Sequence, residues 1–203
     1  VIVLAKLDDL FYTTTLNSVA SDSFTFYVYD GAAWSTSAAT MAISVTPVND
    51  APTVANAQDD QAVNEDAALS YQFNTNVFTD VDSGDSCTYT STTTGGAALP
   101  GWLTFTANTR TYSGTPANGD VGTVNVRTTC TDDGSSAVND DFDIVVSNTN
   151  DAPSNAGDTA TVAEDTAYVS WTASDAWGYS DVDSGDTMTA VKLFSDDSSK
   201  GDD

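Results

Sequence analysis

The sequence predicts an all-β protein built of tandem β-sandwich repeats of about 101 residues. Three observations support this prediction. Apolar and polar residues alternate with a period of two in many segments, and short motifs recur at a fixed spacing. Aspartate supplies all but two of the 30 acidic residues. Together with abundant Thr, Ser and Gly, this favours strands and loops, because glutamate is the better helix former.

Three motifs recur in the same order along the chain. Asn-Asp-Ala-Pro and Asp-Val-Asp-Ser-Gly-Asp each recur after 101 residues, and a Glu-Asp pair recurs after 99. Chance similarity does not account for three ordered matches, so the unit is a repeat of about 101 residues. The matching positions are 49–52 and 150–153, 80–85 and 181–186, and Glu65 and Glu164.

The repeat divides the chain into three parts. Residues 1–48 hold the later strands of one repeat, residues 49–149 form a complete repeat, and residues 150–203 hold the first strands of a third. The two partial repeats complement each other in length and in strand content.

Strands follow from the period-2 alternation, with Asp-Gly and Gly-Thr-Pro sequences between them. About seven strands in 100 residues is the size of an immunoglobulin-like sandwich. The predicted apolar faces, in chain order, are Phe24, Phe26 and Val28; Met41, Ile43 and Val45; Val124, Val126, Thr128 and Cys130; and Phe142, Ile144 and Val146.

The charge balance excludes several classes of function. Thirty acidic residues against five basic ones give a net charge of −25, which repels nucleic acid and anionic lipid. No apolar run reaches the length of a membrane span, so membrane insertion is not expected. The chain has no histidine, and therefore lacks the commonest general base. No catalytic pairing is evident, and we expect a protein that is not an enzyme.

Several motifs together resemble the bacterial cadherin-like repeats of the dystroglycan type. They are the Asn-Asp-Ala-Pro linkers, the Glu-Asp pairs, the Asp-Val-Asp-Ser-Gly-Asp loops, and residues 99–105 followed by 112–116. The resemblance covers residues 49–203, and residues 1–48 from Ser23 onward. It implies a tandem array in a secreted or surface-anchored protein, with Ca²⁺ bound at the junctions between repeats.

The resemblance also implies which residues bind the ions. Ca²⁺ takes six to eight oxygen ligands, which carboxylate and amide groups supply. The alternative is that these side chains cap turns and solubilise loops. The implied ligands are the linker residues Asn49, Asp50, Asn150 and Asp151; the Asp-x-Asp residues Asp80, Asp82, Asp181 and Asp183; Asp30 and Asp132, each closing a penultimate strand; and Glu65 and Glu164.

The two cysteines and four tryptophans allow further expectations. Cys87 and Cys130 would lie on the second and sixth strands, which immunoglobulin domains bridge across their two sheets. Two buried free thiols are the alternative. Trp102 is expected in the core, whereas Trp34, Trp171 and Trp177 can fill cores or bind carbohydrate.

Three functions are compatible with these features. The first is a calcium-rigidified segment of an extracellular adhesin or fibre, whose partners are neighbouring repeats or head-to-tail copies that complete the partial repeats. An arbitrary fragment of a longer array is the alternative to such a filament. The second function is a calcium-dependent carbohydrate-binding module that recognises surface glycans. The third is a salt-adapted surface protein whose acidic residues serve hydration.

Overall fold

The structure, a computed structural model, describes residues 11–157 and 178–192. Its regular elements are strands, apart from two three-residue 3-10 turns at Ala107–Thr109 and Asn118–Asp120, and the predicted all-β class is confirmed. Within these ranges no helix has the length and hydropathy of a membrane span. The strands are β1 Asp22–Phe26, β2 Ala39–Ile43, β3 Thr53–Val54, β4 Gln61–Asn64, β5 Leu69–Gln72, β6 Phe78–Thr79, β7 Thr88–Thr93, β8 Leu103–Thr106, β9 Thr111–Gly114, β10 Gly122–Thr131, β11 Ala137–Ser147, β12 Ser154–Asn155 and β13 Tyr179–Ser180.

Strands β3 to β11 build a sandwich in the middle of the chain. One sheet has the order β4-β11-β10-β7, in which β4 runs parallel to β11 and the other neighbours are antiparallel. The facing sheet has the order β5-β9-β8, and β3 pairs with β6. The long strands β10 and β11 pair over ten residues and form the centre of the four-stranded sheet.

The core lies where the alternating faces of the long strands meet the facing sheet. Val126, Thr128 and Cys130 of β10 are fully buried, as the period-2 pattern predicts. Tyr112 of β9 is also fully buried and contacts Phe142 of β11 edge-on, with ring centroids 5.3 Å apart. Edge-to-face aromatic packing therefore joins the two sheets.

A hydrogen-bonded network joins polar groups in this core, and of the atoms of Gln58 the buried Oε1 has no hydrogen-bond partner. The Tyr112 hydroxyl donates to Ser91 Oγ at 2.8 Å and lies 2.7 Å from Thr128 Oγ1. Thr128 Oγ1 also accepts Nε2–H of Gln58 at 2.8 Å, and Asp140 Oδ2 accepts the backbone N–H of Gln58. Buried polar groups of this kind are tolerated because they are paired.

Cys87 and Cys130 form a disulfide with a Cα–Cα distance of 5.1 Å. The expectation that it crosses between the two sheets is wrong. Cys87 directly precedes β7, and β7 pairs with β10 in the same sheet. Because the short strands β3 and β6 also precede it, β7 is the fifth strand of the sandwich rather than the second. It lies beside β10 in one sheet rather than facing it.

Two further strand pairs lie on either side of the sandwich in the sequence. Strands β1 and β2 form an antiparallel pair in which Phe24 lies opposite Met41. Strands β12 and β13 pair Ser154 with Ser180 and Asn155 with Tyr179. The second pair has the same register as β3 and β6, where Thr53 pairs with Thr79 and Val54 with Phe78; every position is shifted by 101 residues.

Candidate metal centre

The two Asp-x-Asp loops fold around the linker residues in the same way. Asp80 Oδ1 accepts the N–H of Asp82 at 2.9 Å, and Asp82 Oδ2 accepts the N–H of the linker Asp50 at 2.7 Å. The equivalent bonds recur in the next repeat. There Asp181 Oδ1 accepts the N–H of Asp183 at 2.9 Å, and Asp183 Oδ2 accepts the N–H of Asp151 at 2.6 Å. The repeated sequence is thus a repeated local structure.

Glu65 lies at the end of the sandwich from which the chain continues into the second linker, at residues 150–153. Its backbone N–H donates to Ser147 O at 3.0 Å, and the next residue, Asp66, turns away in a left-handed conformation with φ 58°. Aspartate adopts this conformation more readily than most residues. Glu65 is consequently 2% exposed, and its Oε1 accepts the N–H of Thr149 at 2.7 Å.

We call the group formed by Glu65, Asp151 and Asp183 the Glu65 cluster. One carboxylate oxygen of each residue lies within 4.8 Å of the others. Glu65 belongs to the sandwich, whereas Asp151 and Asp183 follow it in the chain. The other oxygen of Glu65, Oε2, is buried and has no hydrogen-bond partner.

Amide side chains of the sandwich hold Asp183 in place. Asp183 Oδ1 accepts from Nδ2 of Asn148 at 2.9 Å and from Nδ2 of Asn118 at 3.2 Å. Asp183 is 7% exposed. These bonds position a carboxylate of the following repeat against the sandwich.

The electrostatics of the Glu65 cluster are unfavourable without a cation. Burial raises the pKa of the Asp151 carboxyl, and the negative charges of Asp183, Asp66, Glu65 and Asp181 raise it further. A cation bound nearby would favour the ionised form of Asp151 and offset the negative charges around it.

A second group, the Asp132 cluster, lies at the opposite end of β11. One oxygen from each of Asp80, Asp85 and Asp132 lies within 4.8 Å of the others. Burial raises the pKa of the Asp85 carboxyl, and neighbouring aspartates add to the effect. Asp132 is 7% exposed, but its Oδ1 accepts the N–H of Ser136 and its Oδ2 accepts Nδ2–H of Asn49. These bonds pair both oxygens of Asp132, whereas Oδ2 of Asp80 in the same cluster is buried and has no hydrogen-bond partner.

Glycine at position 134 lets the linker approach the Asp132 cluster. A Cβ on Gly134 would overlap the side-chain amide of Asn49. Asn49 therefore rests on the turn between β10 and β11, where its amide also lies 3.2 Å from Ser136 Oγ. Asn150 in the next linker donates to Asp151 O, as Asn49 does to Asp50 O.

The structure brings six of the predicted ligands into acidic groups, namely Glu65, Asp80, Asp132, Asp151, Asp181 and Asp183. Asp30 lies in an exposed turn, where its Oδ1 accepts the N–H groups of Ala32 and Ala33. These bonds lower the pKa of the Asp30 carboxyl. Asp30, Asp50 and Asp82 belong to none of the acidic groups found among the described residues. Glu164 lies outside the described ranges.

Sequence reasoning missed four residues of these groups. Asp85 and Asp186 close the repeated loop motif, and Asp186 forms a third acidic group with Asp181 and Asp183. Their recurrence after 101 residues is a signal that could have identified them. Asn118 and Asn148 carry no comparable signal, because neither belongs to a motif that recurs.

The aromatic candidates divide between core and surface. Trp102 packs against the core, as expected. Trp34 is 49% exposed, and its ring centroid lies 5.0 Å from that of the exposed Tyr29. Trp171 and Trp177 lie outside the described residues.

The donor set fits a hard divalent cation. The Glu65 cluster offers carboxylate oxygens without nitrogen or sulfur ligands, which suits Ca²⁺ or Mg²⁺ rather than a transition metal. The unpartnered Oε2 of the buried Glu65 is the kind of group that such an ion satisfies.

Comparisons with known proteins agree with an immunoglobulin-like domain. Residues 51–147 match the family described as "Putative Ig domain". None of the curated proteins matches the chain. An endo-fucoidan hydrolase from glycoside hydrolase family 107 is 24% identical, over 66% of this chain and 19% of that chain, with a TM-score of 0.37. Extracellular cadherin domains 1–4 of protocadherin gamma B7 are 19% identical, over 72% of this chain and 37% of that chain, with a TM-score of 0.44. The chain thus spans about a fifth of the hydrolase and little more than a third of the protocadherin.

Proposed function

We propose that this chain is a non-catalytic, calcium-stabilised segment of a repeat array in an extracellular adhesin or fibre. The observation that carries the proposal is the Glu65 cluster. A buried glutamate of one repeat faces two aspartates of the next, and its Oε2 has no partner. A cation bound there would join the two repeats at their linker.

Electrostatic repulsion is the physical reason for a cation. Two like charges about 4 Å apart repel by about 4 kcal/mol at an effective dielectric of 20. Three carboxylates whose oxygens lie within 4.8 Å of one another thus destabilise the junction unless a positive charge offsets them. Ca²⁺ in extracellular modules binds with dissociation constants of about 10⁻⁴–10⁻³ M, which suits such a site.

An extracellular location is supported by the disulfide between Cys87 and Cys130. Disulfides persist in oxidising compartments and are rare in the cytosol. The disulfide and the proposed calcium sites would both stabilise a repeat outside the cell.

The test compares thermal unfolding in 10 mM CaCl₂ and in excess EGTA. Binding to the folded state alone should raise the melting temperature by roughly 5–15 °C. Glu65→Gln should remove most of the shift, because it replaces one ligand oxygen and removes a charge. Asp59→Asn, at an exposed carboxylate outside the three acidic groups, is the control and should keep the shift. Identical wild-type melts in calcium and EGTA would overturn the proposal.

A glycan-binding module is the second candidate, favoured by the exposed Tyr29–Trp34 pair beside Asp30. Paired aromatic rings can form a platform for a sugar ring. Trp34→Ala should then abolish retention on a glycan array and leave the calcium-dependent melting shift intact. If the wild-type protein retains no glycan, this candidate is wrong.

A further inference from the structure

A hydroxyl group and a carboxamide lie against each other inside the sandwich. Gln58 precedes β4 and Thr128 belongs to β10, and the two residues are 8% and 0% exposed. Gln58 Nε2 donates to Thr128 Oγ1 at 2.8 Å. Because an amide C–N bond is about 1.33 Å long, the hydroxyl oxygen lies within about 4 Å of the amide carbon, Cδ.

The backbone holds both groups in this position. The N–H of Gln58 donates to Asp140 Oδ2 at 2.8 Å. The N–H of Asp143 donates to Asp60 Oδ1 at 2.8 Å, which fixes the same segment along β11. Thr128 lies on a strand that is paired on both sides, by β7 and by β11. Two groups that are already held this close need little reorganisation in order to react.

A buried carboxylate lies next to the hydroxyl and the carboxamide. Asp140 is the cross-strand partner of Thr128 and is 6% exposed. Residues directly opposite each other point to the same face of a sheet, with their Cβ atoms about 4.5–5.5 Å apart. The same carboxylate accepts the backbone N–H of Gln58. Asp140 is therefore placed to take a proton from the Thr128 hydroxyl as a general base.

The oxygen of the carboxamide has no hydrogen-bond partner. Gln58 Oε1 is buried and accepts no hydrogen bond, which destabilises the folded state. An ester carbonyl is a weaker acceptor than an amide carbonyl. Conversion of the amide into an ester would therefore reduce the cost of this unpaired oxygen.

We propose that Thr128 and Gln58 form an intramolecular ester in the folded sandwich. Thr128 Oγ1 attacks Cδ of Gln58, and the hydroxyl proton passes to the carboxylate of Asp140. That proton is then delivered to Nε2, the Cδ–Nε2 bond breaks with its electron pair on nitrogen, and ammonia leaves. One amide and one hydroxyl become one ester and one ammonia, without oxidation or reduction. Burial protects the ester from hydrolysis by water.

The ester would cross-link the start of the domain to its penultimate strand. The first linker, at residues 49–52, would be joined through Gln58 to β10, and residues 59–127 would lie within the closed loop. Tension along a repeat array would pass through the ester and bypass this loop. Gln58, Thr128 and Asp140 belong to none of the acidic groups found among the described residues, so the ester does not depend on the proposed calcium site.

Mass spectrometry of the wild-type chain tests the ester without any variant. After reduction of the disulfide, the chain should be lighter than its sequence mass by one ammonia. Trypsin cleaves after Arg110 and Arg127, and so places Gln58 and Thr128 in different fragments. In the reduced digest these two fragments should remain joined, and alkaline hydroxylamine, which cleaves esters, should separate them.

Variants test the role of each group. Thr128→Val lacks the attacking hydroxyl and should keep the full sequence mass. Asp140→Asn should slow ester formation by roughly a hundredfold or more, which is the usual effect of losing a general base. The matched control is Ser91→Ala, which removes another hydroxyl of the same network and should still form the ester. Near-UV circular dichroism checks that each variant is folded.

The outcomes that would overturn the inference are specific. One is a folded wild-type chain that keeps its full mass, or whose two reduced fragments separate before hydroxylamine is added. A loss of ammonia without joined fragments would place the reaction elsewhere in the chain and would also overturn it. Joined fragments in Thr128→Val would exclude Thr128 as the attacking group.

Discussion

Nearly all acidic residues of this chain are aspartates. Glu65 shows what the longer side chain of glutamate, with one more methylene, can reach. Its backbone is fixed beside Ser147 and its carboxylate reaches Thr149, with one oxygen left for a ligand. The recurrence of Glu65 at position 164 pointed to a role in the repeat. Its burial and its neighbours depend on tertiary contacts, which the motif alone does not specify.

The pH dependence of stability follows from the carboxylates with a raised pKa. Burial and neighbouring charge raise the pKa of Asp151 and of Asp85 above the ordinary value of 3.8. Each group then binds its proton more tightly in the folded state than in the unfolded state. By linkage, the folded state gains stability as pH falls from neutral through the raised pKa, and the gain is complete below 3.8.

A carboxyl group with a lowered pKa affects the stability of the fold only at a more acidic pH. The side-chain hydrogen bond from Arg127 lowers the pKa of Asp141, so its stabilising effect is lost only as pH falls through that lowered value. The first effect therefore begins at a higher pH than the second, because the pKa values of Asp151 and Asp85 lie above 3.8 and that of Asp141 lies below it. We expect a higher melting temperature at pH 5 than at pH 7 in cation-free buffer, and a smaller gain in saturating calcium. Asp151→Asn should reduce the gain, and a melting temperature that falls from pH 7 to 5 without cations would contradict the argument.

At the scale of strands and loops, the 101-residue repeat predicted more of the observed strand pairing than the period-2 alternation of apolar residues did. The 101-residue spacing relates β12–β13 to β3–β6 pair by pair, and the alternation identified the buried faces of β10 and β11. The strand order around Cys87 was not predictable, because β3 and β6 have two residues each and show no period of their own.

The disulfide should stabilise the sandwich mainly by restricting the unfolded chain. Its cysteines are 43 residues apart, for which the chain-entropy model gives about 4 kcal/mol. Cys87→Ser/Cys130→Ser should therefore lower the free energy of unfolding in urea by up to about that amount. Wild-type protein unfolded in dithiothreitol is the control and should match the variant. Equal stability of the oxidised wild type and the variant would show that the bridge adds nothing.

At the scale of the whole molecule, a net charge of −25 has two possible consequences. If the acidic residues serve only hydration and solubility, any salt that screens them should stabilise the fold to a similar degree. If the Glu65 cluster binds calcium, the effect depends on the identity of the ion. These readings separate because screening depends on total ionic strength, whereas a site saturates near its dissociation constant.

The deciding experiment holds ionic strength nearly constant in about 0.15 M NaCl, where the Debye length is about 8 Å. Adding 2 mM CaCl₂ hardly changes the screening, yet exceeds a dissociation constant of about 10⁻⁴–10⁻³ M. The melting temperature should rise with CaCl₂ and stay constant with NaCl added to the same ionic strength. Glu65→Gln should lose the calcium response while keeping the response to molar NaCl, because one substitution leaves most of the acidic surface unchanged. Equal responses to the two salts would mean that the acidic residues act through screening and that the Glu65 cluster holds no specific ion.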